Sequence, residues 1–232
     1  MMEELKDFVV GIDADGVLTN LTEFYKEQGM KYFKKEPVNP KAYSFIDMFG
    51  LNKFQKVLYG PRILDKYCRS AKLRDGAKEV ISKLNDEGCE LHEITARMFT
   101  TFRNPFGEYY RRLFQKYLDK HELKFKSIQF CSETDSPRDK YMGCSKLSVD
   151  VMIEDKPDVA MYLAEKGIKI LLFDAPYNQE ISHENITRVN SWNECYEHIS
   201  RMKAEKKAYI PFEELVDLEA EKERLSNEVV KL

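Results

Sequence analysis

The chain has no apolar run near the ~20 residues needed to cross a bilayer, so no membrane segment is expected. Its first residues, MMEELKDF, are acidic and lack the cationic start and apolar stretch of a secretion signal. Cysteine is sparse. Cys68, Cys89, Cys131, Cys144 and Cys195 form an odd set with no C-x-x-C pair, which argues against a disulfide framework and for reduced, mostly buried thiols in a cytoplasmic protein. Positive charge is not in excess either, and a net charge of −3 argues against binding of a nucleic-acid polymer. What remains is ordinary globular material: 43% hydrophobic and 33% charged over 232 residues, enough to bury a real core. The charge is unevenly spread. Residues 20–75 hold 12 Lys or Arg against 6 Asp or Glu, a basic segment in an otherwise acidic chain. That pattern suits an anionic ligand, and a solvated helical surface would read the same way.

Short apolar runs alternate with helical patterns over most of the length. Strands are expected over 8–13, 89–95, 126–131, 149–153 and 168–173. Between them, Asp75 is placed to cap a helix running to Gly88, and Ser136-Pro137 to open another. A third helix should end on Gly167, and Ser191-Trp192-Asn193-Glu194 reads as a capping box before a helix through about Lys206. Strict alternation of strand and helix predicts an α/β fold with a three-layer, Rossmann-like parallel sheet. Residues 20–75 interrupt it after the first strand and are too long for a plain loop. The expected division is therefore a core of residues 1–19 and 76–206, a small helical cap over 20–75, and a helical extension over 207–232. In that extension Leu215, Leu218, Leu225, Val229 and Leu232 follow a 3-4 spacing, which fits packing on the chain's own domain or a homo-oligomer through this helix.

Chemistry-bearing residues gather where parallel strands end, the edge at which open α/β sheets bind ligands. "FVVGIDADGVLTN" delivers Asp13 and Asp15. The second strand delivers Thr95, followed by Ala96 and Arg97. The 149–153 strand delivers Glu154 and Asp155, with Asp158 one turn on, and the preceding helix offers Lys140 and Lys146. Two carboxylates one residue apart repel, and desolvating them without a partner is costly. A hard cation such as Mg²⁺ resolves that conflict, and acidic oxygens without a His or Cys cluster suit it. Of the two lysines, Lys140 lies near its helix start. In a parallel α/β fold that end faces the ligand edge, so Lys140 is favoured.

"DADGVLTN", "ITAR" and "MIED" resemble the first, second and fourth motifs of the haloacid dehalogenase (HAD) superfamily of phosphotransferases. The longer pattern "GAKEVISKLNDEG…ITAR…VDVMIEDKPDVAMYLAEKGIKILLFDAPYN…RVNSW" resembles the 5′(3′)-deoxyribonucleotidase family and its bacterial relatives, over residues 7 to about 200. The resemblance implies a cytoplasmic phosphatase of a small phosphorylated substrate. Asp13 would be the nucleophile and form an aspartyl-phosphate. Asp15 would act as general acid and base. Thr95, with Ala96 and Arg97, would hold the phosphoryl group, and a lysine would supply fixed charge. Arg97 could equally pair with a neighbouring carboxylate. Mg²⁺ would be bound by Asp13, the Asp15 backbone carbonyl and Asp155, with Glu154 acting through water and Asp158 in support. Two departures from the family pattern stand out: His92 and Glu93 inside the second-motif strand, and Met98 with "FTTFRNPF" after the "TAR". His92 reads as structural.

The leading expectation is a Mg²⁺-dependent phosphomonoesterase of a nucleoside monophosphate. A phosphatase of a sugar phosphate is the alternative, and a non-enzymatic phosphoacceptor domain fits the length and strand order less well. The segment 20–75 carries Phe24, Tyr25, Tyr32, Phe33, Tyr43, Phe45 and Phe49, more aromatics than a small lid needs. Rings there can stack on a base, and Phe45 and Phe49 are the favoured candidates.

Overall fold

The computed structural model describes residues 8–208. Within it, Val9–Ile12 (β1) and Val151–Glu154 (β4) lie side by side in the middle of a six-stranded parallel sheet. Glu90–Thr95 (β2) and Ser127–Phe130 (β3) extend the sheet beyond β1. Lys169–Phe173 (β5) and Ile186–Val189 (β6) extend it beyond β4, giving the order β3-β2-β1-β4-β5-β6. Every residue of β1 and β4 is buried, as strands covered on both faces require, and this explains their near-continuous apolar sequence. Strand order reverses between β1 and β4, where open α/β sheets form a crevice.

β6 was not among the expected strands. It is an edge strand, and its "ITRV" is mostly half-buried, so it has neither the apolar run nor the clean alternation that marks the others.

The core helices are Ala77–Asp86 (α4), Pro105–Lys120 (α5), Ser136–Leu147 (α6), Pro157–Glu165 (α7) and Trp192–Ala208 (α8). The side chains of α6 and α7 cover one face of the sheet through a cluster that includes Ile94, Cys144, Met152, Val159, Leu163 and Ile170. Two expected caps differ. Gly76, in the left-handed region at φ 79°, stands at the start of α4 in place of Asp75, and Asp135 precedes α6, one residue before the expected cap. At α8, Ser191 Oγ does accept from Glu194 N at 3.2 Å, but Glu194 reaches back to Asn190 N at 2.9 Å, one residue beyond a regular capping box. All five cysteines are buried, and none is in a disulfide. Among the described residues, no helix is long and apolar enough to cross a membrane. One compact unit runs through Tyr196. The proposed self-association helix lies outside the described residues beyond Ala208.

The segment after β1 is helical, as expected. Leu21–Phe33 (α1), Phe45–Met48 (α2) and Lys53–Ser70 (α3) share an apolar cluster of Leu21, Phe24, Phe45, Met48, Phe49, Ile63 and Tyr67. Asn20 and Asn52 cap α1 and α3 by accepting from Glu23 N and Gln55 N. The chain enters and leaves this insertion as a paired ribbon: Thr19 bridges Leu73, and Arg74 N donates to Leu18 O at 2.7 Å. That short ribbon seats the insertion beside the end of β1.

Candidate active site

Asp13 N donates to Ile153 O at 3.0 Å, so the sheet pairing carries one residue past β1 and sets Asp13 against the end of β4. The chain then makes a single wide turn over Ala14–Leu18, closed by Thr19 N on Ala14 O at 3.3 Å. Gly16 takes φ +89° within that turn, and a Cβ there would lie 1.9 Å from Asp155 Oδ2. Only glycine meets both demands, the backbone angle and the close approach. The turn is anchored from outside by Arg74 Nη2 on Gly16 O at 2.7 Å and Trp192 Nε1 on Val17 O at 3.3 Å.

Lys140 comes from the first turns of α6 and is 2% exposed. Its Nζ lies 2.7 Å from Asp13 Oδ1 and 2.6 Å from Glu154 Oε2. Burial lowers its pKa, but Asp13 and Glu154 more than offset that and raise it above the usual lysine value. Lys146, at the far end of α6, is exposed. Glu154 uses its other oxygen, Oε1, to accept from Asp155 N at 3.1 Å and Lys156 N at 3.0 Å. It therefore anchors the lysine and the start of α7. Burial raises the Asp13 carboxyl to about 6, with Lys140 opposing the rise and Glu154 adding to it. Asp155 is pushed well above the usual carboxylate range by burial first and by Glu154 and Asp13 next. Asp158 pairs with Lys156 at 3.1 Å, on the surface.

Asp15 is held by Arg97, Nη2 to Oδ1 at 3.2 Å. The guanidinium sits 4.7 Å from the Phe114 ring centroid and 5.1 Å from that of Tyr67. It is 4% exposed and is not among the residues lining the cavity described below. The expected contact of Arg97 with substrate is thus replaced by a grip on Asp15. Burial raises the Asp15 carboxyl and Arg97 lowers it. Thr95 Oγ1, buried beside the Asp13 carboxylate, has no hydrogen bond of good geometry.

These groups open into a cavity of ≈ 290 Å³ whose lining includes Asp13, Asp15, Thr95, Ala96, Lys140 and Glu154 from the sheet side and Tyr25, Tyr43, Ser44 and Tyr67 from the insertion. Met98, Glu133 and Lys156 also line it. A larger cavity of ≈ 660 Å³ lies at the ribbon, around Asn20, Arg74 and Asn190, and none of these carboxylates lines it. Phe45 and Phe49 do not reach the active cavity. They are 4% and 0% exposed and pack on each other and on Phe33, with centroids 5.1, 6.0 and 5.7 Å apart. Phe49 lies so close to α1 that a Cβ on Gly29 would meet its ring at 1.8 Å. They build the insertion's own core, and the tyrosines take the cavity face. That division has a physical cause: a phenol favours a position with one end packed and the other wet.

Asp13, Glu154 and Asp155 each present a carboxylate oxygen, all within 4.8 Å of one another and all buried. Asp155 Oδ1 is buried without a hydrogen-bond partner. A set of buried carboxylates with an unused oxygen and no sulfur or imidazole suits a hard divalent cation. His92 plays no part. It faces the edge strand, with Nδ1 2.8 Å from Ser127 Oγ and Nε2 3.6 Å from Glu90, and burial lowers its pKa.

Glu93 is the odd member of β2. It is fully buried, and neither carboxyl oxygen has a hydrogen-bond partner. Burial, then the charge of Asp13, drives its pKa well up, which favours the protonated form. An orphaned polar group costs about 1–3 kcal/mol. Glu93→Leu is therefore expected to stabilise the fold by a similar amount in urea unfolding. A loss of stability would show that the carboxyl has a partner that matters.

A parallel sheet with this strand order, an insertion after the first strand, and an Asp-x-Asp turn facing a lysine and an acidic pair make the fold and site of a HAD-superfamily protein. The chain is similar in fold to a HAD-family hydrolase from Deinococcus radiodurans solved with bound phosphate and sodium, with a TM-score of 0.57, 13% identity and coverage of 86% of this chain and 97% of that one. It is similar also to protein tyrosine kinase A of Mycobacterium tuberculosis, with a TM-score of 0.59, 17% identity and coverage of 83% and 98%. At such identities the likeness shows the fold alone. The family model described as 5′ nucleotidase, deoxy (pyrimidine), cytosolic type C protein matches residues 7–206, and the chain belongs to that family. A nucleotidase of Clostridium acetobutylicum is 28% identical over 209 residues, which is 87% of this chain and 96% of the relative. The protein is a nucleotidase-like phosphatase.

Tyr25, Tyr43, Tyr177 and Glu133 were not singled out from the sequence. The two insertion tyrosines stood among seven candidate rings, and their hydroxyls were the available signal. For Tyr177, in "FDAPYN", no local pattern points to Asp155, which it meets only through the fold.

Proposed function

We propose that the protein is a Mg²⁺-dependent phosphomonoesterase that hydrolyses a nucleoside monophosphate through an aspartyl-phosphate on Asp13. The observation that carries this reading is the lysine-bound Asp13 at the floor of a cavity whose roof is three tyrosines. In this reading residues 20–75 act as a cap. The Asp13 carboxylate attacks phosphorus, and the bond to the ester oxygen breaks as Asp15 gives that oxygen its proton. Asp15, whose pKa is raised by burial and restrained by Arg97, then takes a proton from water. The resulting hydroxide attacks the acyl-phosphate, releasing phosphate and restoring Asp13. Lys140 supplies a fixed positive charge next to the reacting oxygen, and Thr95 Oγ1 and the backbone at Ala96 donate to the phosphoryl oxygens. Asp13 and Asp155, with the Asp15 carbonyl, would hold Mg²⁺, which when bound neutralises the carboxylates and the phosphoryl group. Arg97 acts as a positioning residue for Asp15.

In this reading Tyr25 and Tyr43, which line the cavity, are the rings that stack on the base. Stacking on one ring is worth about 1–3 kcal/mol, so at saturating Mg²⁺ Tyr25→Leu and Tyr43→Leu should each raise KM for a nucleoside monophosphate about tenfold while changing KM for a small aryl phosphate little. Equal effects on both substrates would remove the stacking role. The reading as a whole is tested by phosphate release from nucleotides and hexose phosphates, with and without Mg²⁺. Nucleoside monophosphates should give the highest kcat/KM, and EDTA should abolish release. Faster release from a hexose phosphate would overturn the substrate assignment.

A further inference from the structure

Asp155 is tied down on three sides by residues that take no part in the reaction above. The Tyr177 hydroxyl donates to its Oδ2. Asn178 Nδ2 donates to its backbone carbonyl at 2.8 Å and to Phe173 O, also at 2.8 Å. Asn178 is itself fixed, because its Oδ1 accepts from Ala175 N at 3.2 Å and Arg188 Nη1 at 2.7 Å. The Gly16 backbone closes the Oδ2 side so tightly that a Cβ there would lie 1.9 Å away. With Oδ2 used by the phenol, Oδ1 is left as the buried oxygen without a hydrogen bond. That is the arrangement in which an outer hydrogen bond sets the rotamer of a metal-binding carboxylate.

Tyr177 has a second neighbour, from the insertion. Tyr43 meets it edge-on, with ring centroids 5.1 Å apart and planes at 85°. Tyr43 also lines the cavity, and Lys156 Nζ lies 5.8 Å from its ring centroid. A continuous set of contacts therefore runs from the insertion through Tyr43 and Tyr177 to Asp155.

Building on the proposed metal-dependent reaction, we infer that Tyr177 is a positioning residue that aims Asp155 at the divalent cation, and that Tyr43 couples the seating of the insertion to metal affinity. By linkage, whatever holds Tyr43 in place from the cavity side tightens the metal, and the metal tightens it in return.

Titration calorimetry with Mg²⁺ alone, on the full chain, tests this. Tyr177→Phe removes only the hydroxyl and should raise the Mg²⁺ Kd about 10–100-fold, with the fold retained in the metal-free protein and lost activity restored by excess Mg²⁺. Tyr43→Ala touches no carboxylate, yet it should also weaken Mg²⁺. The double variant should be no weaker than Tyr177→Phe alone, because both act through one hydroxyl. An unchanged Kd in Tyr177→Phe, with wild type binding Mg²⁺, overturns the inference and leaves the proposed function standing. Additive effects, or an unaltered Kd in Tyr43→Ala, overturn the coupling to the insertion. Failure of the wild-type protein to bind Mg²⁺ overturns the metal-dependent reading itself, and the inference with it.

Discussion

Asp13→Asn is expected to leave less than about a thousandth of wild-type turnover, a loss of about 4 kcal/mol of barrier lowering or more. The amide has the shape of the carboxylate but cannot attack phosphorus. The same change should not destabilise the metal-free protein at neutral pH. The Asp13 carboxyl is raised to about 6 by burial from an ordinary value of 3.8. Between those values the unfolded chain has already released the proton that the folded one still holds, so the stability of the folded state falls as pH rises from about 4 and levels off above about 6. A neutral Asn avoids that loss. Thermal melting at pH 5 and pH 8 should therefore show the variant gaining on wild type at the higher pH. Residual activity well above a thousandth would mean that Asp13 is not the nucleophile.

Lys140→Met should be the most damaging single change to the fold at this site. Lys140 is the cation between two buried acids, at 2.7 Å from Asp13 and 2.6 Å from Glu154. Removing one partner of a buried ion pair costs about 3–5 kcal/mol, because the charge left behind has neither water nor a counter-ion. The cost should be smaller at pH 5 than at pH 8, since an acid that has lost its lysine can take up a proton at the lower pH and does so at little expense. Turnover should also collapse with the loss of fixed positive charge at the reacting oxygen. Lys146→Met, at the exposed end of the same helix, should match wild type in urea unfolding and in rate. The reverse pattern would move the role to Lys146.

The parts of this protein written in local sequence were legible, and the parts written in packing were not. β1, β4 and β5 are mostly apolar runs because both faces of the central sheet are covered, and the acidic residues at the ends of β1 and β4 mark the ligand edge. Lys140 could be chosen over Lys146 from helix direction alone, and the structure brings it to Asp13. β6 was missed because an edge strand with Thr187 and Arg188 at its centre has a weak pattern. The wrong choice of Phe45 and Phe49 has a different origin. Which rings of a three-helix insertion face inward depends on how α1 to α3 pack, and on Gly29 admitting the Phe49 ring. No spacing along the chain encodes that. Arg97 could be read as a substrate contact or as the partner of a neighbouring carboxylate, and the second holds: Asp15 and the rings of Tyr67 and Phe114 claim its guanidinium. Tyr177 and Asp155 are 22 residues apart and meet only when β4 and β5 pair.

The central claim is that a phosphoryl group is carried on Asp13. Asp15→Asn removes the acid and base while leaving the nucleophile and Lys140 in place, so the second half-reaction stalls on a substrate with a good leaving group. Mixing this variant with an aryl phosphate and Mg²⁺, quenching in acid and mapping the protein by mass spectrometry reads the intermediate directly. The account predicts one added phosphoryl group, confined to the peptide containing Asp13 and lost when Asp13 is also changed to Asn. Release of the aryl alcohol with no protein-bound phosphoryl group, or a phosphoryl group on another residue, would contradict it.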